Sequence, residues 1–239
     1  MLVLSPPFPD PALPRLASTV TLRPDDYLNP YRHALALHGP DFCATLWRSR
    51  ASQLARFEAI LASASFARRR VLDAGCGLGC LAHFLNARDA AYSHYTGIDA
   101  VPEVLDQARS GNPPRSEFLV GDFVADRRLL SHNDPDFVIF CGSLNTLDEA
   151  LAWEVVDDAW DAARVGLIFN FLSDLCDPAV IQAETGPAHR FGARDWIDWT
   201  VRTTRHFQIR HDYLEGQDIT IAMFKSCPSP ADAPSRPEP

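Results

Sequence analysis

Short apolar runs alternate along this chain with stretches in which apolar residues recur every three or four positions. The runs fall at 71–72, 95–99, 118–120, 137–141 and 165–171. Rich in Val, Ile, Phe and Tyr and bounded by turn residues, they predict strands, and the unbroken Phe137–Cys141 run suits a strand covered on both faces. Helical spacing fills the gaps. Leu54, Phe57, Ile60 and Leu61 predict a helix over 47–62, and Leu78, Leu81, Ala82 and Leu85 predict another. Val104, Leu105 and Ala108 follow Pro102, a residue tolerated in a first helical turn. Leu151, Val155 and Ala159 follow Thr146-x-x-Glu149, which reads as a capping box. Residues 25–46, interrupted by Pro30 and Pro40, predict short helical pieces. Late in the chain the rhythm changes. Two apolar-alternating segments, 207–213 and 218–225, flank Leu214-Glu215-Gly216-Gln217, a hairpin signal. This order predicts an α/β fold with a doubly wound, mostly parallel sheet, an antiparallel hairpin at its end and helices on both faces.

Composition narrows the picture. A chain of 239 residues can bury a sizeable core in one domain. Its formal net charge of -9 argues against a protein that tracks phosphate backbones, and Arg68-Arg69-Arg70, the single basic run, reads as a solvated helix end before the first strand. Six scattered cysteines show no zinc spacing and predict buried thiols in a reducing compartment. With neither a basic leader nor an apolar window of membrane length, the expectation is a cytoplasmic protein with no membrane partner. Both ends are proline-rich. The expected organisation is an extension and possible lid over 1–46, a domain over 47–225 and a disordered tail over 226–239.

The chemistry centres on Asp73-Ala74-Gly75-Cys76-Gly77-Leu78-Gly79. Glycines at alternate positions break the first strand before a helix begins, a nucleotide-type arrangement expected to aim loop N–H groups and a helix N-terminus at the ligand. Cys80 stands where a dinucleotide fingerprint has its third glycine, and no Gly-Lys-Ser/Thr follows. Asp73 would repel a pyrophosphate and attract a cation such as an α-ammonium group. Ligands of open α/β sheets bind outside the carboxyl ends of the strands, where Asp73, Asp99, Asp122 and Cys141 all fall.

With its Asp-x-Gly-x-Gly-x-Gly loop, the chain resembles the class I S-adenosylmethionine-dependent methyltransferases over about residues 47–225, most specifically over 71–123. The resemblance implies a seven-stranded sheet, S-adenosylmethionine as cofactor with S-adenosylhomocysteine as product, and direct in-line methyl displacement. It assigns Asp73, Gly75, Cys76 and Gly77 to the methionine part of the cofactor, Asp99 and Ala100 to the ribose, and Gly121, Asp122 and Phe123 to the adenine. Cys141 would line the methyl path and Arg56 would pair with the cofactor carboxylate. Trp47, Asn145 and Asn170 are candidates for the acceptor side, and His189 and Trp196 for a substrate lid. The segment Cys141-Gly142-Ser143-Leu144-Asn145 lacks the Asn/Asp-Pro-Pro-Tyr/Phe signature of enzymes acting on base or glutamine amines. This departure and the acidic charge favour a small organic acceptor over nucleic acid. No catalytic base is singled out among His33, His38, His189 and His211, and no acidic cluster suggests a metal. A non-catalytic cofactor-binding subunit and a nucleotide-dependent oxidoreductase stand as alternatives.

Overall fold

The computed structural model describes residues 26–111, 113–184 and 186–227. The extension before Asp26 and all but the first two residues of the expected tail lie outside them.

Five strands form the parallel part of the sheet: β1 (Arg70–Ala74), β2 (His94–Asp99), β3 (Ser116–Val120), β4 (Phe137–Phe140) and β5 (Gly166–Ser173). A two-residue β6 (Arg190–Phe191) lies along the end of β5, and β7 (His206–Arg210) and β8 (Asp218–Phe224) form the predicted hairpin. The spatial order is β3-β2-β1-β4-β5-β8-β7. The late strands do not simply extend the edge. β8 inserts between β5 and β7 and pairs antiparallel with both, so it alone opposes the sheet direction. The order reverses between β1 and β4, which opens a crevice above their carboxyl ends.

Alternation along the strands divides the core. Leu72, Val138, Phe169 and Ile221 face α5 (Glu149–Ala162) and α7 (Ala193–Thr203). Val71, Tyr95, Ile139 and Ala222 face α2 (Arg50–Leu61), α3 (Cys80–Ala87) and α4 (Pro102–Gly111). Trp196 belongs to the first of these cores and not to a lid: it is fully buried, stacks flat on Trp153 at 3.6 Å between ring centroids, and donates its indole N–H to Glu149.

Two helix starts differ from the sequence expectation. The 47–62 helix begins only at Arg50, because Ser49 and Ser52 cap each other reciprocally and leave Trp47 in the preceding loop. The start of α5 is capped by Asp148, whose carboxylate accepts from Leu151 N at 2.8 Å, and not by Thr146. Glu149 is thereby released to bind Gly192 N and the Trp196 indole. The arginine run does not end a helix. It lies in the turn before β1, with Arg68 at φ 59° and Arg70 opening the strand.

Helix α2 is tied to the sheet by an ion pair. Arg56 Nε donates to Asp218 Oδ1 at 2.7 Å, its Nη2 donates to Asp218 Oδ2, and its Nη1 donates to the Ser52 carbonyl at 3.1 Å. Both partners are buried, so removal of either strands a charge in a poor solvent. Asp218→Ala is expected to lower the unfolding free energy by about 3–5 kcal/mol in urea denaturation. A loss below about 1 kcal/mol, the range of exposed pairs, would show that the pair does not anchor α2 to the sheet.

Candidate functional site

Above the ends of β1 and β4, the glycine loop, the turns after β2 and β3 and the N-terminal segment enclose one cavity. Nine of the residues assigned to the cofactor from the sequence line it: Asp73, Gly75, Cys76, Gly77, Asp99, Ala100, Asp122, Phe123 and Cys141. Gly75 needs its missing side chain, since it lies at φ 83° and an added Cβ would stand 2.4 Å from Ser143 Cβ. Ser143 Oγ in turn donates to Ala74 O at 2.6 Å, binding the loop after β4 to the end of β1.

The loop N–H groups differ from expectation. Gly75 N and Cys76 N donate to Ile98 O at 2.8 and 3.0 Å, Gly77 N to Asp99 Oδ2 at 2.8 Å, and Gly79 N to Cys76 O at 3.0 Å. These four donors are committed within the protein, so the loop is a support for carboxylates and not an anion cradle. A pyrophosphate would find little there.

The electrostatics point the same way. Asp73, Asp99 and Asp122 line the cavity, and no Lys, Arg or His is among the described residues that line it. Asp73 is buried and accepts a hydrogen bond from the Tyr95 hydroxyl at Oδ2, while its Oδ1 is buried with no hydrogen-bond partner among the described residues. Burial pushes the Asp73 carboxyl up to about 7, with the Tyr95 hydrogen bond opposing and the Asp99 charge reinforcing the shift. Burial also raises Asp99, against the backbone donors Val101 N at 2.9 Å and Gly77 N. Asp122 accepts from Val124 N and Ala125 N at 2.9 and 3.2 Å. A site that confines carboxylates without counter-charges is made for a cation. The thiols are not nucleophiles: burial drives Cys76 and Cys141 far above the ordinary cysteine range.

The N-terminal segment forms the roof, and the sequence reading assigned it no ligand contact. A 3-10 turn (Asp26–Leu28) leads into α1 (Asn29–His38), and a second such turn follows (Phe42–Thr45). The Tyr27 hydroxyl donates to Asp122, 2.6 Å from each carboxylate oxygen. Tyr31, four residues on, lines the same cavity, and burial pushes its phenol up to about 12. The aromatic i, i+4 spacing was the available signal, and it is equally a signal of core packing. Under this roof the cavity keeps a free volume of about 90 Å³, against about 980 Å³ in a neighbouring cavity toward β5 and β8.

The remaining sequence candidates lie elsewhere. Gly121 does not line the cavity; an added Cβ there would meet Leu129 at 2.7 Å. Arg56, expected beside the cofactor carboxylate, is instead held by Asp218 and lines the neighbouring cavity and not this one. Asn170 is fully buried and lines neither cavity: its Oδ1 accepts from Gly142 N at 2.8 Å and its amide approaches Cys141 Sγ at 3.7 Å, so it supports the loop after β4. Asn145 lines the neighbouring cavity, although its Oδ1 accepts from Leu172 N at 3.1 Å and its carbonyl from His189 N at 2.6 Å. Trp47 lines both cavities. Among the described residues no group of three His, Cys, Asp or Glu side chains is placed to hold a metal, and no helix is long and apolar enough to cross a membrane.

Residues 71–166 match a family model described as a methyltransferase domain. Comparison with curated proteins gives no sequence match. Among solved structures, the chain is similar to magnesium protoporphyrin IX methyltransferase from Synechocystis PCC 6803 with bound S-adenosylhomocysteine: TM-score 0.59, 17% identity, 84% of this chain and 97% of that one. It is also similar to an O-methyltransferase family protein from Burkholderia thailandensis, with TM-score 0.61 and 19% identity over 83% of this chain and 63% of that one. A third similarity is to small RNA methyltransferase HEN1, with TM-score 0.56 and 16% identity over 75% of this chain and 26% of that one. At these identities the likeness is one of fold. Residues 71–166 thus carry a methyltransferase domain, and the glycine loop, the strand order and the shared fold support a class I S-adenosylmethionine-dependent methyltransferase.

Proposed function

We propose that this enzyme methylates a small organic acceptor seated in the cavity beside the cofactor site. The observation that carries the cofactor half is Asp73 Oδ1, a buried carboxylate oxygen with neither a hydrogen-bond partner nor a cationic side chain beside it in the cavity among the described residues. It fits the α-ammonium of S-adenosylmethionine. Asp99, fixed by two backbone donors, keeps lone pairs for the ribose hydroxyls, and Asp122 keeps one on Oδ2 for the adenine amino group. Phe123, packed on Phe140, lies beside the ring. S-adenosylmethionine supplies an electrophilic methyl on a sulfonium, so the protein has chiefly to orient the acceptor and exclude water. The roof through residue 46 serves as a lid that opens for the cofactor, over a methyltransferase domain spanning 47–225.

The lining of the second cavity supports the small acceptor. Its walls are largely apolar, with Leu46, Leu172, Val180, Pro187 and Leu214. The charged side chains are Arg48 and Arg56 against Glu184, Glu215 and Asp218, and both arginines are already bonded, to Gln217 and Asp218. That balance suits a neutral or cationic apolar molecule better than a polyanion such as RNA. Scattered cysteines favour a cytoplasmic setting.

Calorimetric titration with S-adenosylhomocysteine is expected to show one tight site. Asp99→Ala is expected to abolish binding while the far-ultraviolet circular dichroism stays native, and wild-type affinity in that variant would refute the ribose assignment.

The raised Asp73 carboxyl adds a pH dependence. Only the carboxylate pairs with an ammonium group, so affinity is full above pH 7 and falls by about tenfold per pH unit below it. The ligand-free fold shows the opposite trend. A carboxyl raised from 3.8 to about 7 holds its proton better folded than unfolded, so its contribution to stability declines as pH rises across that window. Asp73→Asn is expected to weaken binding and flatten both slopes. Wild-type binding that does not vary between pH 5.5 and 7.5 would sink the assignment of Asp73.

A further inference from the structure

The cofactor cavity and its neighbour share five lining residues: Tyr31, Thr45, Trp47, Gly142 and Thr146. If the first cavity is the S-adenosylmethionine site, on which this inference rests, the transferred group crosses that ring of residues. Trp47 carries the largest side chain in it, and its position is constrained from several directions.

On one face the Arg56 guanidinium lies 4.9 Å from the ring centroid, within cation–π range. Arg56 is itself immobilised by its two hydrogen bonds to buried Asp218 and one to the Ser52 carbonyl. Phe57 meets the indole edge-on, with centroids 6.5 Å apart. At Gly142 the absent side chain leaves room for the ring: an added Cβ would stand 2.5 Å from Trp47 Cη2. Asn170 holds that glycine by accepting from its N–H. The indole is therefore clamped by two buried polar anchors on different elements, α2 with β8 and β5 with the loop after β4. A side chain meant only to fill space needs no such supports, since apolar packing alone would serve.

We infer that Trp47 is a specificity-determining residue of the methyl transfer: its ring gauges the width of the passage between cofactor sulfur and acceptor, and so limits which group can stand on that sulfur. Arg56, Asp218 and Asn170 act through it as positioning residues. The passage is rigid because Arg56 cannot follow a displaced indole without leaving Asp218 unpaired in the interior. The barrier therefore discriminates by size, between a methyl group and anything bulkier.

The test needs no acceptor. Two ligands are titrated calorimetrically against each protein: S-adenosylhomocysteine, and the sulfonium analogue in which benzyl replaces the methyl of S-adenosylmethionine. The readout is the ratio of their affinities. Wild type is expected to bind the benzyl analogue at least about tenfold more weakly, the penalty of forcing bulk into a packed site. Trp47→Ala should bring the ratio close to one, and Trp47→Phe should bring it part of the way. Arg56→Lys keeps a positive charge opposite Asp218 but offers no planar face to the indole, and should shift the ratio in the same direction as Trp47→Phe. That shift separates positioning from simple structural support, which would weaken both ligands together. Should Trp47→Ala not fold, Trp47→Phe and Arg56→Lys carry the test. Equal binding of both ligands by wild type, or a ratio unchanged across the variants, would overturn the role of Trp47 while leaving the cofactor site standing. Failure of wild type to bind S-adenosylhomocysteine would instead bring down the cofactor reading, and this inference with it.

Discussion

A carboxylate buried with one oxygen satisfied and the other bare is a costly thing for a fold to keep, and the site is assembled around that cost at Asp73. Tyr95, on the neighbouring strand β2 and itself buried, steadies one oxygen. The glycine loop then bends away so that no backbone donor reaches the other, because its N–H groups are drawn to Ile98 O and Asp99 instead. Asp99 gains by that diversion, accepting from Gly77 N and so locking the loop to the end of the second strand. That oxygen, without a hydrogen-bond partner among the described residues, belongs to a cavity whose described lining holds no cationic side chain and in which burial is the largest influence on the Asp73 and Asp99 carboxyls.

Much of this was legible in the amino-acid order because strand ends announce themselves. Asp73, Asp99 and Asp122 each follow a short apolar run, and a parallel sheet brings the ends of such runs together whatever lies between them. The hairpin was equally visible, but the insertion of β8 between β5 and β7 was not, since alternation specifies a strand and not its neighbour. Arg56 and Asn170 were misplaced for a related reason. A polar residue in an apolar stretch declares that it needs a partner without naming it, and their partners, Asp218 and Gly142, lie 162 and 28 positions away. Thr146 mimicked a helix cap because Asp148, two residues later, was the stronger one. The roof tyrosines were hidden by ordinariness, since helical aromatic spacing seldom means more than packing.

The two cavities divide the chemistry by material. Around the cofactor side, selectivity rests on fixed charge and committed backbone donors, which tolerate little variation. The neighbouring cavity, proposed for the acceptor, is broad and largely apolar, with both its arginines already paired. Shape is what such a surface can read, and shape is easily revised by substitution. The B. thailandensis O-methyltransferase family protein and small RNA methyltransferase HEN1 share this fold, so the fold by itself does not name the acceptor.

The placement of β8 also sets an order of assembly. Strands β1 to β5, with the three carboxylates, precede it in the chain and can pair as they leave the ribosome. Asp218 emerges among the last of the described residues, and until it arrives Arg56 has no counter-charge and belongs in water. The wall that Asp218 gives the second cavity is therefore made after the three carboxylates of the first, and its pairing with Arg56 ties the end of the described chain back to a helix that precedes the sheet.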